Sequence, residues 1–118
     1  MSTFISAEYI IANLFIALNK TNKRENITLD ELNKAVTYIR EMSISKDIDV
    51  ILLASSEQVT SAIYSFSDYF EYDNDTKTIR LAKTKSIKDL ESRFIGYLPF
   101  NVLSFLVNTL HEFAKLKS

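Results

Sequence analysis

The chain has 118 residues but only one Gly and one Pro. Average usage is roughly 7% Gly and 5% Pro. Tight turns draw on Gly for positive φ and on Pro for a preset φ. A fold built from many hairpins is therefore disfavoured, and helices joined by polar connectors are predicted. The two residues have a place in that scheme: Gly96 can end one helix and Pro99 can open the next. With 47% hydrophobic residues, eight Phe, six Tyr and a net charge of -1, the composition is that of a packed core, not of a disordered segment. The length suits a single domain, expected over 1–118.

Apolar spacing predicts helices over about 6–20, 28–42, 56–67, 86–95 and 99–116. In the first, Ala7, Ile10, Ile11, Leu14, Phe15 and Leu18 form one stripe. The second opens on Thr28 and Glu31, spaced as a capping box, with Ile27 and Leu32 placed as the matching hydrophobic staple. Ser55 and Gln58 repeat the capping spacing before the 56–67 helix. Segment 45–54 reads two ways, as a short helix begun by Ser45 or as a buried strand Asp49-Val50-Ile51-Leu52-Leu53-Ala54. Periodicity does not separate these in so short a run. After Asp68 the period changes to two: Phe70 and Tyr72, then Ile79 and Leu81, flank Asp73-Asn74-Asp75-Thr76. That predicts a β-hairpin over about 69–82, with Glu71 facing Arg80. The final helix is apolar on more than one side, which predicts either the centre of the core or half of a dimer interface. Phe100, Phe105 and Val107 are its candidates for self-association. The expected class is α+β and mostly helical: about five helices, one β-hairpin and a C-terminal apolar helix.

Most catalytic chemistries lack their residues. Without Cys there is no disulfide framework, thiol nucleophile or Cys-bound zinc. His111 is the single His, and nucleophilic triads and most acid–base schemes lean on His. A single Gly excludes the glycine-rich phosphate loops. The Asp73-Asn74-Asp75 turn starts like a calcium loop, but Thr78 and Thr84 stand where Gly and Glu are required. No E-x-K occurs, the arrangement common in metal-dependent nucleases. The expectation is a non-enzymatic protein with no catalytic residue, metal or cofactor. The first apolar stretch carries Glu8 and Asn13 and lacks a basic start, unlike a secretory signal. No apolar run reaches the ~18–20 residues of a membrane span, so a cytoplasmic, non-membrane protein is expected.

The order of elements from Ile48 to Leu81, with 45–54 taken as helical, resembles a winged helix-turn-helix. The resemblance is carried by a helix, a short turn, a second helix and the strands Tyr69-Phe70-Glu71-Tyr72-Asp73 and Lys77-Thr78-Ile79-Arg80-Leu81. It covers about a third of the chain and is one of pattern. A winged helix also tolerates 49–54 as a third strand beside the hairpin. The resemblance implies that 56–67 is the recognition helix and the hairpin the wing.

Charge weighs against a nucleic-acid reading of that helix. Residues 51–75 hold Glu57, Asp68, Glu71, Asp73 and Asp75 and no basic residue. Residues 76–96 hold Lys77, Arg80, Lys83, Lys85, Lys88 and Arg93 against Asp89 and Glu91. The outward face of the 56–67 helix would offer Glu57, Gln58, Thr60, Ser61 and Tyr64, with no Lys or Arg to neutralise phosphate. A small regulatory or inhibitory protein acting by stoichiometric protein–protein contact is the leading expectation. The alternatives are a dimeric winged-helix DNA-binding transcriptional regulator, reading bases through Gln58, Thr60 and Tyr64 beside the basic strip, and a structural subunit that homodimerises through the last helix. Abundant Ile, Asn and Lys point to an AT-rich bacterial or mobile-element genome, and so to an accessory protein.

Overall fold

The first predicted helix is apolar all the way round, not along one stripe. In the computed structural model, which describes residues 2–117, it is α1 (Ala7–Asn22), and every residue from Ile10 to Leu18 is buried. In chain order the elements are β1 (Thr3–Ser6), α1, β2 (Asn26–Thr28), α2 (Leu29–Ser45), β3 (Val50–Leu53), α3 (Ser56–Ser65), β4 (Phe70–Asp73), β5 (Thr78–Leu81), α4 (Ile87–Phe94) and α5 (Phe100–Leu116). The fold is α+β and mostly helical. Helices α2, α3, α4 and α5 all pack against α1. The helix buried on all sides is thus α1, while α5 was expected either at the centre of the core or in a dimer interface. The apolar width of α5 is used within the chain, against both α1 and α2. Phe105 is buried there and Val107 half-buried, so of the three residues expected to self-associate only Phe100 is fully exposed.

Two small sheets complete the fold. Strands β4 and β5 form the predicted hairpin, with Glu71 opposite Arg80. The third strand of that antiparallel sheet is β2, giving the order β2-β5-β4. Three residues are too few to show a period, which is why Asn26–Thr28 reads in sequence as connector and cap. Of the two readings of 45–54, the strand forms, as β3, but it joins β1 in parallel, Phe4 opposite Ile51, and not the hairpin.

The helix reading of 45–54 fails because α2 ends in a closed cap. The Asp47 amide donates to the Ile44 carbonyl (3.2 Å) and the Ile48 amide to the Ser43 carbonyl (2.8 Å), with Asp47 at φ +54°. That is the Schellman pattern, normally built on Gly. Lys23 and Lys77 also take positive φ, at +55° each. The chain thus makes its left-handed turns with Asp and Lys and keeps its one Gly, Gly96 at φ +117°, for the α4–α5 corner.

The junction between α1 and α2 is an ionic clamp. Arg24 places its two terminal nitrogens 2.6 Å from the two carboxylate oxygens of Glu31. Glu31 also accepts from the Thr28 amide (3.0 Å), while Thr28 Oγ1 accepts from the Glu31 amide (3.1 Å), completing the capping box. The Arg24 bond, and then the Thr28 amide, hold the Glu31 carboxyl at about 2, against an ordinary 4.5.

A carboxyl depressed in the folded state stabilises above its unfolded pKa, and that contribution is lost as pH falls through the folded value. Acid unfolding is therefore expected to draw about 2–3 kcal/mol from Glu31 as pH falls from about 5 to about 2. Denaturant titrations of wild type and Glu31→Gln across that range check this: the two should converge at low pH, and a constant gap would contradict it. Asn13 Oδ1 and Thr109 Oγ1 are buried without a hydrogen-bond partner among the described residues. Replacing Thr109 by the isosteric Val is expected to stabilise by about 1 kcal/mol, seen as a Tm higher by roughly 4 °C.

Candidate interaction surface

Helix α3 owes its position to a short buried edge. Only Val59 and Ala62 are buried in it, and Ile63 and Phe66 lean on the core from either side. The remaining residues face outward, so Glu57, Gln58, Thr60, Ser61 and Tyr64 do share one exposed surface, with Tyr64 86% exposed. That surface holds no cation.

The polar side chains on it are less free than their exposure suggests. Gln58 Oε1 accepts from the Ser55 amide (2.9 Å), and Ser55 Oγ accepts from the Gln58 amide (3.2 Å). Thr60 Oγ1 donates to the Ser56 carbonyl (3.0 Å). Gln58 was expected as a contact residue; it acts first as a helix cap. Base reading needs side-chain amides and hydroxyls turned outward, and two of the three residues expected to do it bond their own helix.

Beside α3 lies a cleft of about 330 Å³ between the start of α2, α3 and β4. Leu29, Val59, Ile63 and Phe70 make its floor, all buried or half-buried. Asn33, Ser56, Thr60 and Ser67 stand at its exposed rim, with the Tyr64 and Tyr72 rings alongside. No lining residue is charged. The pairing of β2 with β5 brings Leu29 and Asn33 here, since the Leu29 amide donates to the Lys77 carbonyl (3.0 Å). Sequence reasoning missed the cleft because its α2 wall depends on that three-residue strand.

Several residues of the basic strip have local partners. Phe94 in α4 is the hub of an aromatic cluster with Tyr9, Phe66, Tyr69 and Phe70, its ring centroid 5.3–5.9 Å from theirs. Arg93 lays its guanidinium over Phe66 (5.3 Å) and Phe94 (5.4 Å), and Lys85 Nζ sits 4.8 Å from the Tyr69 centroid. These two cations cover the cluster. Arg80 stands in register between Glu71 and Asn26. Lys77 lies at the hairpin turn, and Lys83 and Lys88 are exposed.

The other singled-out residues have structural duties. Asp73 Oδ1 accepts from the Asp75 amide (2.9 Å) and the Thr76 amide (3.3 Å), which closes the turn and lowers its carboxyl pKa. His111 Nδ1 donates to the Val107 carbonyl (2.8 Å). Among the described residues no three His, Cys, Asp or Glu side chains gather as a metal site, and no helix is long and apolar enough to cross a membrane. Phe4 and Ile51 form an exposed apolar pair on the β1–β3 ladder, unforeseen because β1 was not expected.

If Gln58 is a cap, Gln58→Ala should cost about 0.5–1 kcal/mol in chemical denaturation. An unchanged midpoint would return Gln58 to the pool of free contact residues. Compared with family models, curated proteins and solved structures, the chain matches none.

Proposed function

We propose that this chain is a non-enzymatic regulatory or inhibitory protein that acts by stoichiometric contact with another protein through the outer face of α3. The observation that carries the reading is that face: cation-free, flanked by Glu57 and Asp68, with Tyr64 86% exposed. Interfaces are enriched in Tyr and depleted of isolated charge at their centre. A polyanion would meet uncompensated carboxylates there instead. The absence of Cys from the sequence fits a cytoplasmic site of action.

One observation favours a second reading, a winged-helix DNA-binding regulator. In the order α1, β2, α2, β3, α3, β4, β5, strand β2 beside β5 and a hairpin after α3 are elements that a winged helix also has, while β3, paired with β1, stands between α2 and α3. In that pattern α3 would enter the groove. The two readings share an architecture and differ in what α3 touches.

Affinity capture from the native host, with and without nuclease, separates them. The protein reading expects a partner retained at defined stoichiometry after nuclease treatment. It also expects Tyr64→Ala to weaken binding about tenfold, typical for an anchoring aromatic, without changing stability by more than about 0.5 kcal/mol. Capture abolished by nuclease, with duplex affinity falling steeply as salt rises and with Lys77→Glu and Lys83→Glu, would replace it with the DNA reading.

A further inference from the structure

We infer that the cleft between α2, α3 and β4 is a binding site for a small neutral aromatic ligand. This inference does not depend on which macromolecule meets α3. The cleft is concave and its floor is apolar: Leu29, Val59, Ile63 and Phe70. Its rim residues Ser56, Thr60 and Ser67 are small, so nothing of their own bulk fills the space above that floor. An apolar hollow left to water gives up both the transfer free energy and the dispersion contacts of its walls.

The lining selects the ligand. With no charged side chain in the wall, an ion entering would lose hydration without gaining a counter-charge. The volume of about 330 Å³ lies at the small end of ligand pockets. At about 30 Å³ for each water-sized group, it takes on the order of 11 non-hydrogen atoms, a fused two-ring molecule. Tyr64 and Tyr72 offer ring faces and edges at the mouth, the geometry in which aromatic pairs gain beyond simple burial. Asn33 and Ser67 put an amide and a hydroxyl at the rim, so a ligand bearing one hydroxyl has a polar partner while its rings meet the floor. The exposed Phe4 and Ile51 pair offers no comparable selection: the hollow beside Ile51 is lined by Arg40, Asp47 and Asp49, charges of both signs.

The test is a titration of the full chain with 2-naphthol, followed by amide NMR shifts. 2-Naphthoate and 2-naphthylmethylammonium serve as charged controls of similar size. Saturating shifts are expected at Val59, Ile63, Ser67 and Phe70, with half-saturation on the order of 0.1–1 mM for a ligand this small. Both charged analogues should bind at least tenfold more weakly. Ser67→Trp and Thr60→Trp add bulk at exposed rim positions, and each should reduce naphthol affinity tenfold or more while leaving the circular dichroism spectrum unchanged. Shifts that do not saturate, shifts centred away from the cleft, or naphthoate binding as tightly as naphthol would overturn the assignment. So would wild-type affinity in either folded variant.

Discussion

The rest of the structure depends on covering α1 from every side. A helix with no polar face is stable only inside a core, and a chain this short has few elements with which to enclose one. Each remaining helix gives its apolar stripe to that task. Helix α5 lies along α1 and meets α2, α4 brings Leu90 and Phe94, and α3 brings Val59 and Ala62. Helix α3 buries only Val59 and Ala62, and its larger part is left to solvent. The exposed α3 surface is therefore a consequence of how α1 is buried, and a surface held on so small a buried edge is easily varied without touching the core.

Joining these helices in a glycine-poor chain needs polar devices. Left-handed backbone costs a residue with a Cβ on the order of 1 kcal/mol, yet Lys23, Asp47 and Lys77 adopt it. Each sits where closure repays that cost. Lys23 follows α1, with its amide on the Asn19 carbonyl; Asp47 ends α2 in a two-bond cap; Lys77 turns the hairpin and gives its carbonyl to Leu29. The Arg24–Glu31 pair belongs to the same set, because it ties the chain leaving α1 to the first turn of α2 across β2. A mostly buried ion pair of this kind gains from good geometry, and Glu31 has it: the guanidinium fork on both oxygens and a backbone amide on one of them.

Features with a local physical cause were legible in the sequence. The capping boxes at Thr28–Glu31 and Ser55–Gln58 need only four residues each, and both form. The hairpin register, Glu71 against Arg80, follows from a period of two around an Asx turn. Features set by distant partners were not. Strand β3 pairs with β1, 47 positions away, and no local pattern announces that parallel ladder. Strand β2 is three residues long, and its pairing with β5 creates the α2 wall of the cleft. The contact residues on α3 were identified as exposed from the helical period alone. The Gln58 cap was legible in its spacing from Ser55, but that Thr60 would spend its hydroxyl on the Ser56 carbonyl depends on side-chain geometry that a period does not contain.

Charge shows the same division between sequence and fold. Along the chain an acidic stretch precedes a basic one, which invites pairing between them. Across the sheet Arg80 stands opposite Glu71 and, after the Thr76 and Asp75 amides, also helps to lower the Asp73 carboxyl pKa. Two of the other cations, Lys85 and Arg93, lie over the rings of Tyr69, Phe66 and Phe94, where their stems shield the aromatic hub and their charge meets ring faces. Cations used as covers for an aromatic cluster are placed by that cluster and not by a phosphate backbone. The carboxylates of Glu57 and Asp68 beside α3 make no ion pair among the described residues. An α3 surface without cations and with uncompensated carboxylates at its edges is the ground on which the proposed counterpart is a protein and not a polyanion.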